Sequence, residues 1–111
     1  MQTLRARDLS DWLQPTERYV DLPAPQLLDV REAWELEKCS LDHVIAIPLG
    51  QVPAQVESLD PQRPVVCICH HGWRSLQAAA WLERNGFDEV YNLSGGVAAW
   101  ASEVDPQFPT Y

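Results

Sequence analysis

The run Val65-Val66-Cys67-Ile68-Cys69, preceded by Pro64 and followed within three residues by Gly72, constrains the fold of this chain more than any other stretch. A short, apolar, β-branched segment of this kind suits a strand covered on both faces. From Ser75 the pattern changes to helical spacing, with Ala78, Ala79 and Leu82 on one side and Gly86 placed to end the helix. The chain therefore passes from a buried strand, through the loop Cys69 to Arg74, into a helix N-terminus.

Further strands are predicted at about Gln26 to Val30, Val44 to Ile47 and Glu89 to Leu93. Between them lie helical patterns: Leu9, Trp12 and Leu13 on one face of a short helix, then Arg31 to Cys39, Leu49 to Leu59 with Val52, Val56 and Leu59 inward, and Val97 to Val104. Residues 14–25 hold Pro15, Pro23 and Pro25 and read as a connector, and Asp60-Pro61-Gln62-Arg63-Pro64 breaks the chain before the central strand. Strands alternating with helices imply a parallel sheet with helices on both faces. Trp12, Trp34, Trp81 and Trp100 are expected in the core. Residues 105–111, with Pro106 and Pro109, read as an extended tail.

The length of 111 residues is enough for one core without a metal or disulfide staple, so a single domain over 1–111 is expected, its core about 26–104. No apolar run approaches the roughly 20 residues that span a bilayer. A formal charge of −8 argues against nucleic acid or an anionic membrane as partner. A small anion remains compatible, because a local positive loop dominates within one screening length, about 8 Å. Three cysteines cannot all pair within one chain, which fits a reducing compartment and makes the cytoplasm the expectation.

The placement of Cys69 is chemically loaded. The first amides of a helix lack internal partners and carry partial positive charge, so an anion is favoured there. A free thiol ionises at about 8.5, and a helix N-terminus with a neighbouring cation lowers that value. Arg74 supplies a permanent cation, and His70 and His71 add fractional charge near neutrality. Gly72 permits a tight turn, so that the amides from His70 to Ser75 point inward as an anion nest. Trp73 either shapes the entrance as an apolar docking point or packs over the loop.

Cys69-His70-His71-Gly72-Trp73-Arg74-Ser75 resembles the active loop of single-domain rhodaneses, the sulfurtransferases. Leu28-Asp29-Val30-Arg31-Glu32-Ala33-Trp34-Glu35 is similar to the early Asp-Val-Arg segment of that family, Ile47-Pro48-Leu49 to its Ile-Pro segment, and Leu93-Ser94-Gly95-Gly96-Val97-Ala98-Ala99-Trp100 to its late Gly-Gly and Trp pattern. The resemblance implies a rhodanese-like α/β fold with a sheet of roughly five parallel strands. It also implies a reaction without cofactor, in which Cys69 takes the outer sulfur of an anionic donor such as thiosulfate as a persulfide. The sulfur then passes to cyanide or to a small or protein-borne thiol. Arg74 would orient the donor. Independently of the resemblance, Gly95 and Gly96 at a strand end permit a sharp turn, which is expected beside the Cys69 loop.

Asp29, Arg31 and Glu35 read either as a polar brace between strand end and helix start or, for Arg31, as pocket lining. Ser40 stands where the family has His, and His43 where it has Gly, which makes the turn entering the next strand the point of departure from the family. Cys39 is expected as a packed thiol. Cys67 shares a strand face with Cys69 but lies deeper, so Cys67, Cys69, His70 and His71 are not read as a metal site. Two rival functions remain. A phosphatase or arsenate reductase would need a loop one residue longer than the four between Cys69 and Arg74, and a loop Asp or Glu as general acid. A noncatalytic binding module or sulfur relay is the other.

Overall fold

The computed structural model describes residues 1–14 and 19–111, so Pro15 of the connector lies outside the described residues. Five strands, β1 (Gln2–Leu4), β2 (Gln26–Asp29), β3 (Ile45–Ala46), β4 (Val65–Ile68) and β5 (Val90–Leu93), form one parallel sheet in the order β1-β5-β4-β2-β3. The helices are α1 (Ala6–Leu13), α2 (Ala33–Lys38), α3 (Val52–Gln55), α4 (Trp73–Arg84) and α5 (Gly96–Glu103). The apolar run of β4 takes the central position, and all four of its residues are buried.

The two-residue period of β4 divides the core. Val65, Cys67 and Cys69 pack on one face with Ala78, Ala79 and Leu82 of α4 and Val52 of α3. Val66 and Ile68 pack on the other with Leu9 and Trp12 of α1 and Val97 of α5. Each fully buried aliphatic side chain of this kind contributes about 1.5–3 kcal/mol. The sheet is thus covered on both faces, as the strand and helix alternation predicts.

The topology also fixes where a ligand gathers. From β2 the chain runs outward to β3, whereas from β4 it continues to β5 on the opposite side. The carboxyl ends of β2 and β4 therefore release their loops in opposite directions, the place where sheets of this kind gather their ligands. The loop after β2 carries Arg31 and leads into α2 with Glu35; the loop after β4 carries Cys69 to Gly72.

Several expectations need correction. The edge strand β1 is absent from the sequence reading, because Gln2-Thr3-Leu4 has one apolar residue and no alternation long enough to count; its order comes from pairing with Tyr91 to Leu93. The helix expected over Leu49 to Leu59 is three short pieces, a 3-10 turn Leu49–Gln51, α3, and a second 3-10 turn Val56–Ser58. Pro53, without an N–H, fits only the first turn of a helix, so no continuous helix runs through it. Leu13, at the end of α1, and Trp34 on α2 are exposed rather than core residues. α2 is only six residues long and turns Glu35 inward, which leaves Trp34 facing out. Helix α4 begins at Trp73, two residues early, and ends as expected: Gly86 adopts φ 91° and the Phe87 amide donates to the Leu82 carbonyl at 3.2 Å.

At the predicted point of departure His43 holds φ 63°, the left-handed conformation that a glycine takes freely. A side chain there costs about 1–2 kcal/mol, partly offset by the entropy that glycine loses on folding. His43→Gly is accordingly expected to stabilise the fold by up to about 1 kcal/mol, read as a higher denaturant midpoint at unchanged slope.

Candidate active site around Cys69

Cys69 follows the last residue of β4 and is 1% exposed. The turn behind it depends on Gly72, at φ 103°, where a Cβ would lie 3.2 Å from the Gly95 nitrogen and 3.4 Å from the Leu93 carbonyl. Folded this way, the Gly72 N–H donates to Cys69 Sγ at 3.0 Å, and Ser75 Oγ of α4 lies 3.2 Å from the same sulfur. The carbonyls of the turn are drawn the other way, since Cys69 O accepts from Val97 N at 3.0 Å and His70 O from Ala98 N at 3.1 Å. The start of α5 thus holds two of the loop's acceptors, and among the described residues the backbone donor on the sulfur is the Gly72 N–H rather than the whole row of amides from His70 to Ser75.

A second layer comes from β5 and α2. Ser75 Oγ donates to Asn92 Oδ1 at 2.5 Å, and Asn92 Nδ2 donates to Gly72 O at 3.1 Å. Arg74 forms a two-pronged pair with Glu35, Nη1 to Oε2 at 2.6 Å and Nη2 to Oε1 at 2.8 Å. Glu35 also accepts from the Glu32 backbone N–H at 2.9 Å and from the Tyr111 hydroxyl at 2.9 Å. These donors, Arg74 foremost, hold the Glu35 carboxyl down to about 2.

The sign of the resulting pH dependence follows. A carboxylate with a folded-state value below its ordinary 4.5 stabilises the fold fully above that pH and loses the contribution as pH falls toward 2. The full shift corresponds to about 3 kcal/mol, and solvent at the partly exposed Arg74 reduces it to about 2. In Glu35→Gln the decline of unfolding free energy between pH 5 and pH 2.5 is expected to be shallower by that amount.

Arg31 is fully buried and forms a brace. Its Nε and Nη2 donate to Asp29 at 3.0 and 2.8 Å, Nη2 to the Cys39 carbonyl at 2.8 Å, and Nη1 to the Tyr111 hydroxyl at 3.1 Å. Asp29 and Arg31 are joined by these bonds, and Glu35 extends the contacts to Arg74. Cys39 is buried beside Arg31, as expected of a packed thiol. Burial, reinforced by Cys69, pushes the Cys67 thiol up to about 12, which leaves it protonated and inert.

His70 behaves differently from expectation. His70 stacks between His71 and Tyr111, each ring 3.9 Å away. Burial first, then the His71 charge, lowers its pKa below that of a free imidazole, so it adds less positive charge at neutral pH than the sequence implied. Trp73, the first residue of α4, is 72% exposed rather than packed over the loop. The tail is not simply extended either, since Tyr111 reaches back to Arg31, Glu35 and His70. Asn92 and Tyr111 were missed as site residues. A polar residue inside the otherwise apolar Val90–Leu93 run was the available signal for Asn92; Tyr111 had none.

These features define a parallel α/β protein with a cysteine held at the carboxyl end of its central strand, in a loop that opens a helix. The chain belongs to the rhodanese-like domain family, whose profile matches residues 13–103, and thereby to the rhodanese-like sulfurtransferases. It is 33% identical over 86 residues to a sulfurtransferase of Allochromatium vinosum, covering 78% of this chain and 80% of that protein. It is 36% identical over 121 aligned positions to the Arabidopsis thaliana rhodanese-like/PpiC domain-containing protein 12, chloroplastic, with 100% of this chain matched but 40% of that protein. The crystal structure of a rhodanese-related protein from Thermoplasma volcanium superposes with a TM-score of 0.79 at 29% identity over 94% of each chain.

Proposed function

We propose that this protein transfers sulfane sulfur through a persulfide on Cys69. The thiolate attacks the outer sulfur of a donor such as thiosulfate; the S–S bond to the sulfite group breaks with its electron pair, sulfite leaves, and Cys69 retains S–S⁻. A nucleophilic acceptor, cyanide or a thiol, then attacks that outer sulfur and regenerates the thiolate. The observation that carries the reading is the Gly72 N–H on Cys69 Sγ at the start of α4, which favours negative charge on sulfur. Arg74, anchored by Glu35, orients the anionic donor at the loop rim.

The phosphatase alternative is disfavoured by Glu35. It is the carboxylate brought to Arg74 from outside the loop, yet with its value held near 2 it is ionised at neutral pH and serves poorly as a general acid. The exposed Trp73, at the end of the loop that begins at the buried Cys69, favours an acceptor thiol carried on a protein surface. Three free thiols fit the cytoplasm as the working compartment.

The test is intact mass measurement after incubation with thiosulfate, followed by digestion to locate the change. A gain of one sulfur atom on Cys69, removed by cyanide with formation of thiocyanate, is expected. No gain, together with Cys69-dependent hydrolysis of aryl phosphates, would replace this reading by the phosphatase one.

A further inference from the structure

Cys69, Ser75, Asn92 and Gly72 close a ring of hydrogen bonds whose proton directions are fixed by chemistry. The Gly72 carbonyl only accepts, so the Asn92 amide must present Nδ2 to it at 3.1 Å. Its Oδ1 then faces Ser75 Oγ at 2.5 Å and, as an acceptor, takes the single hydroxyl hydrogen. Ser75 is left with lone pairs toward Cys69 Sγ at 3.2 Å. In this arrangement the sulfur is a thiol donating to Ser75. A thiolate or a persulfide on Cys69 has no hydrogen to give and needs one.

We infer that Asn92 is a positioning residue that governs the protonation of Cys69 by holding or releasing the hydroxyl hydrogen of Ser75. With Cys69 a thiol, Asn92 holds that hydrogen; when the sulfur loses its proton to solvent, the Ser75 hydroxyl rotates and donates to Sγ, and Asn92 Oδ1 gives up its donor. No bond between heavy atoms changes. Asn92 is 7% exposed and Ser75 is fully buried, so solvent does not readily substitute for either partner. Among the described residues, Arg74 of α4, with Glu35 of α2 behind it, and Cys67 of β4 interact electrostatically with Cys69. His70 and His71 follow Cys69 in the loop; β5 contributes the neutral Asn92 and α5 its backbone.

The inference rests on Cys69 being the reactive thiol of the proposed function, but its test needs no sulfur donor. The rate of alkylation of Cys69 by iodoacetamide is followed against pH, with modification located by digestion, in wild type, Asn92→Leu, Ser75→Ala and the double variant. Asn92→Leu frees the Ser75 hydrogen for sulfur, so the profile is expected to move to lower pH, with alkylation at pH 6.5 faster by about three- to tenfold. In the Ser75→Ala background the same change is expected to have no effect. Should Asn92→Leu not fold, the side-chain amide NMR signal of Asn92 in the wild type decides: it is expected to move with the midpoint of the alkylation profile, and much less in Ser75→Ala. An unchanged or slower rate in Asn92→Leu, an equal acceleration with and without Ser75, or an Asn92 signal constant through the profile would overturn the inference.

Discussion

Replacing Cys69 by serine is expected to abolish sulfur uptake from thiosulfate while leaving the fold nearly intact. The side chain is buried, and serine is slightly smaller, so no clash arises. The Gly72 N–H that reaches the sulfur at 3.0 Å and the hydroxyl of Ser75 remain as partners for the new hydroxyl. The stability cost is then on the order of 1 kcal/mol. The nucleophile, however, is lost: a serine hydroxyl is a weak nucleophile unless a base activates it, and among the described residues the partners of this position are the Gly72 N–H and the Ser75 hydroxyl, neither of them a base. The other two thiols do not substitute, since Cys39 and Cys67 are both buried and Cys67 is held protonated with its value near 12. Intact mass after thiosulfate, beside thermal melting of the same sample, reads both halves. Uptake of sulfur by a folded Cys69→Ser protein would move the chemistry to another residue.

The second large effect is expected at Gly96, where Ala should damage fold and site together. Gly96 has φ 59°, and a Cβ there would stand 2.3 Å from the Cys69 carbonyl oxygen and 2.4 Å from that of His70. Both are backbone atoms, so no side chain rotation relieves the contact. The loop itself must shift, and with it the bonds from Val97 N and Ala98 N that hold its carbonyls. Left-handed strain and lost packing together cost about 3–5 kcal/mol. A displacement of the sulfur by about 1 Å slows loading on the order of a hundredfold. Gly50→Ala is the control, because nothing lies within 4 Å of its added carbon, and little change is expected. Wild-type stability and loading in Gly96→Ala would show that α5 does not hold the loop.

The parts of the site that were legible in the sequence are those made by neighbours in the chain. The strand that ends at Cys69, the turn at Gly72 and the helix ending at Gly86 follow from a buried apolar run, a flexible residue and a change of period. The approach of Gly95 and Gly96 was readable too, because two glycines at a strand end signal a close turn. The Glu35 to Arg74 pair was not, although both residues were singled out: nothing in the spacing of 39 residues says that the segments after β2 and β4 meet. Tyr111 lay in a tail with two prolines, and its contacts with Arg31 and Glu35 arise only once the last helix returns the chain to the loop after β2.

What the sequence determined by itself was local: which segments bury apolar faces, where the chain must turn, and which thiol stands at a helix start. Local propensity and periodicity act over a few residues, so they are written in consecutive positions. The tertiary structure decided the rest: the order β1-β5-β4-β2-β3, the pairing that anchors Arg74, the ring through Asn92, and the lowered charge of His70. Each depends on the distance and burial between groups remote in the chain, and those quantities exist only after the sheet has brought its strand ends together.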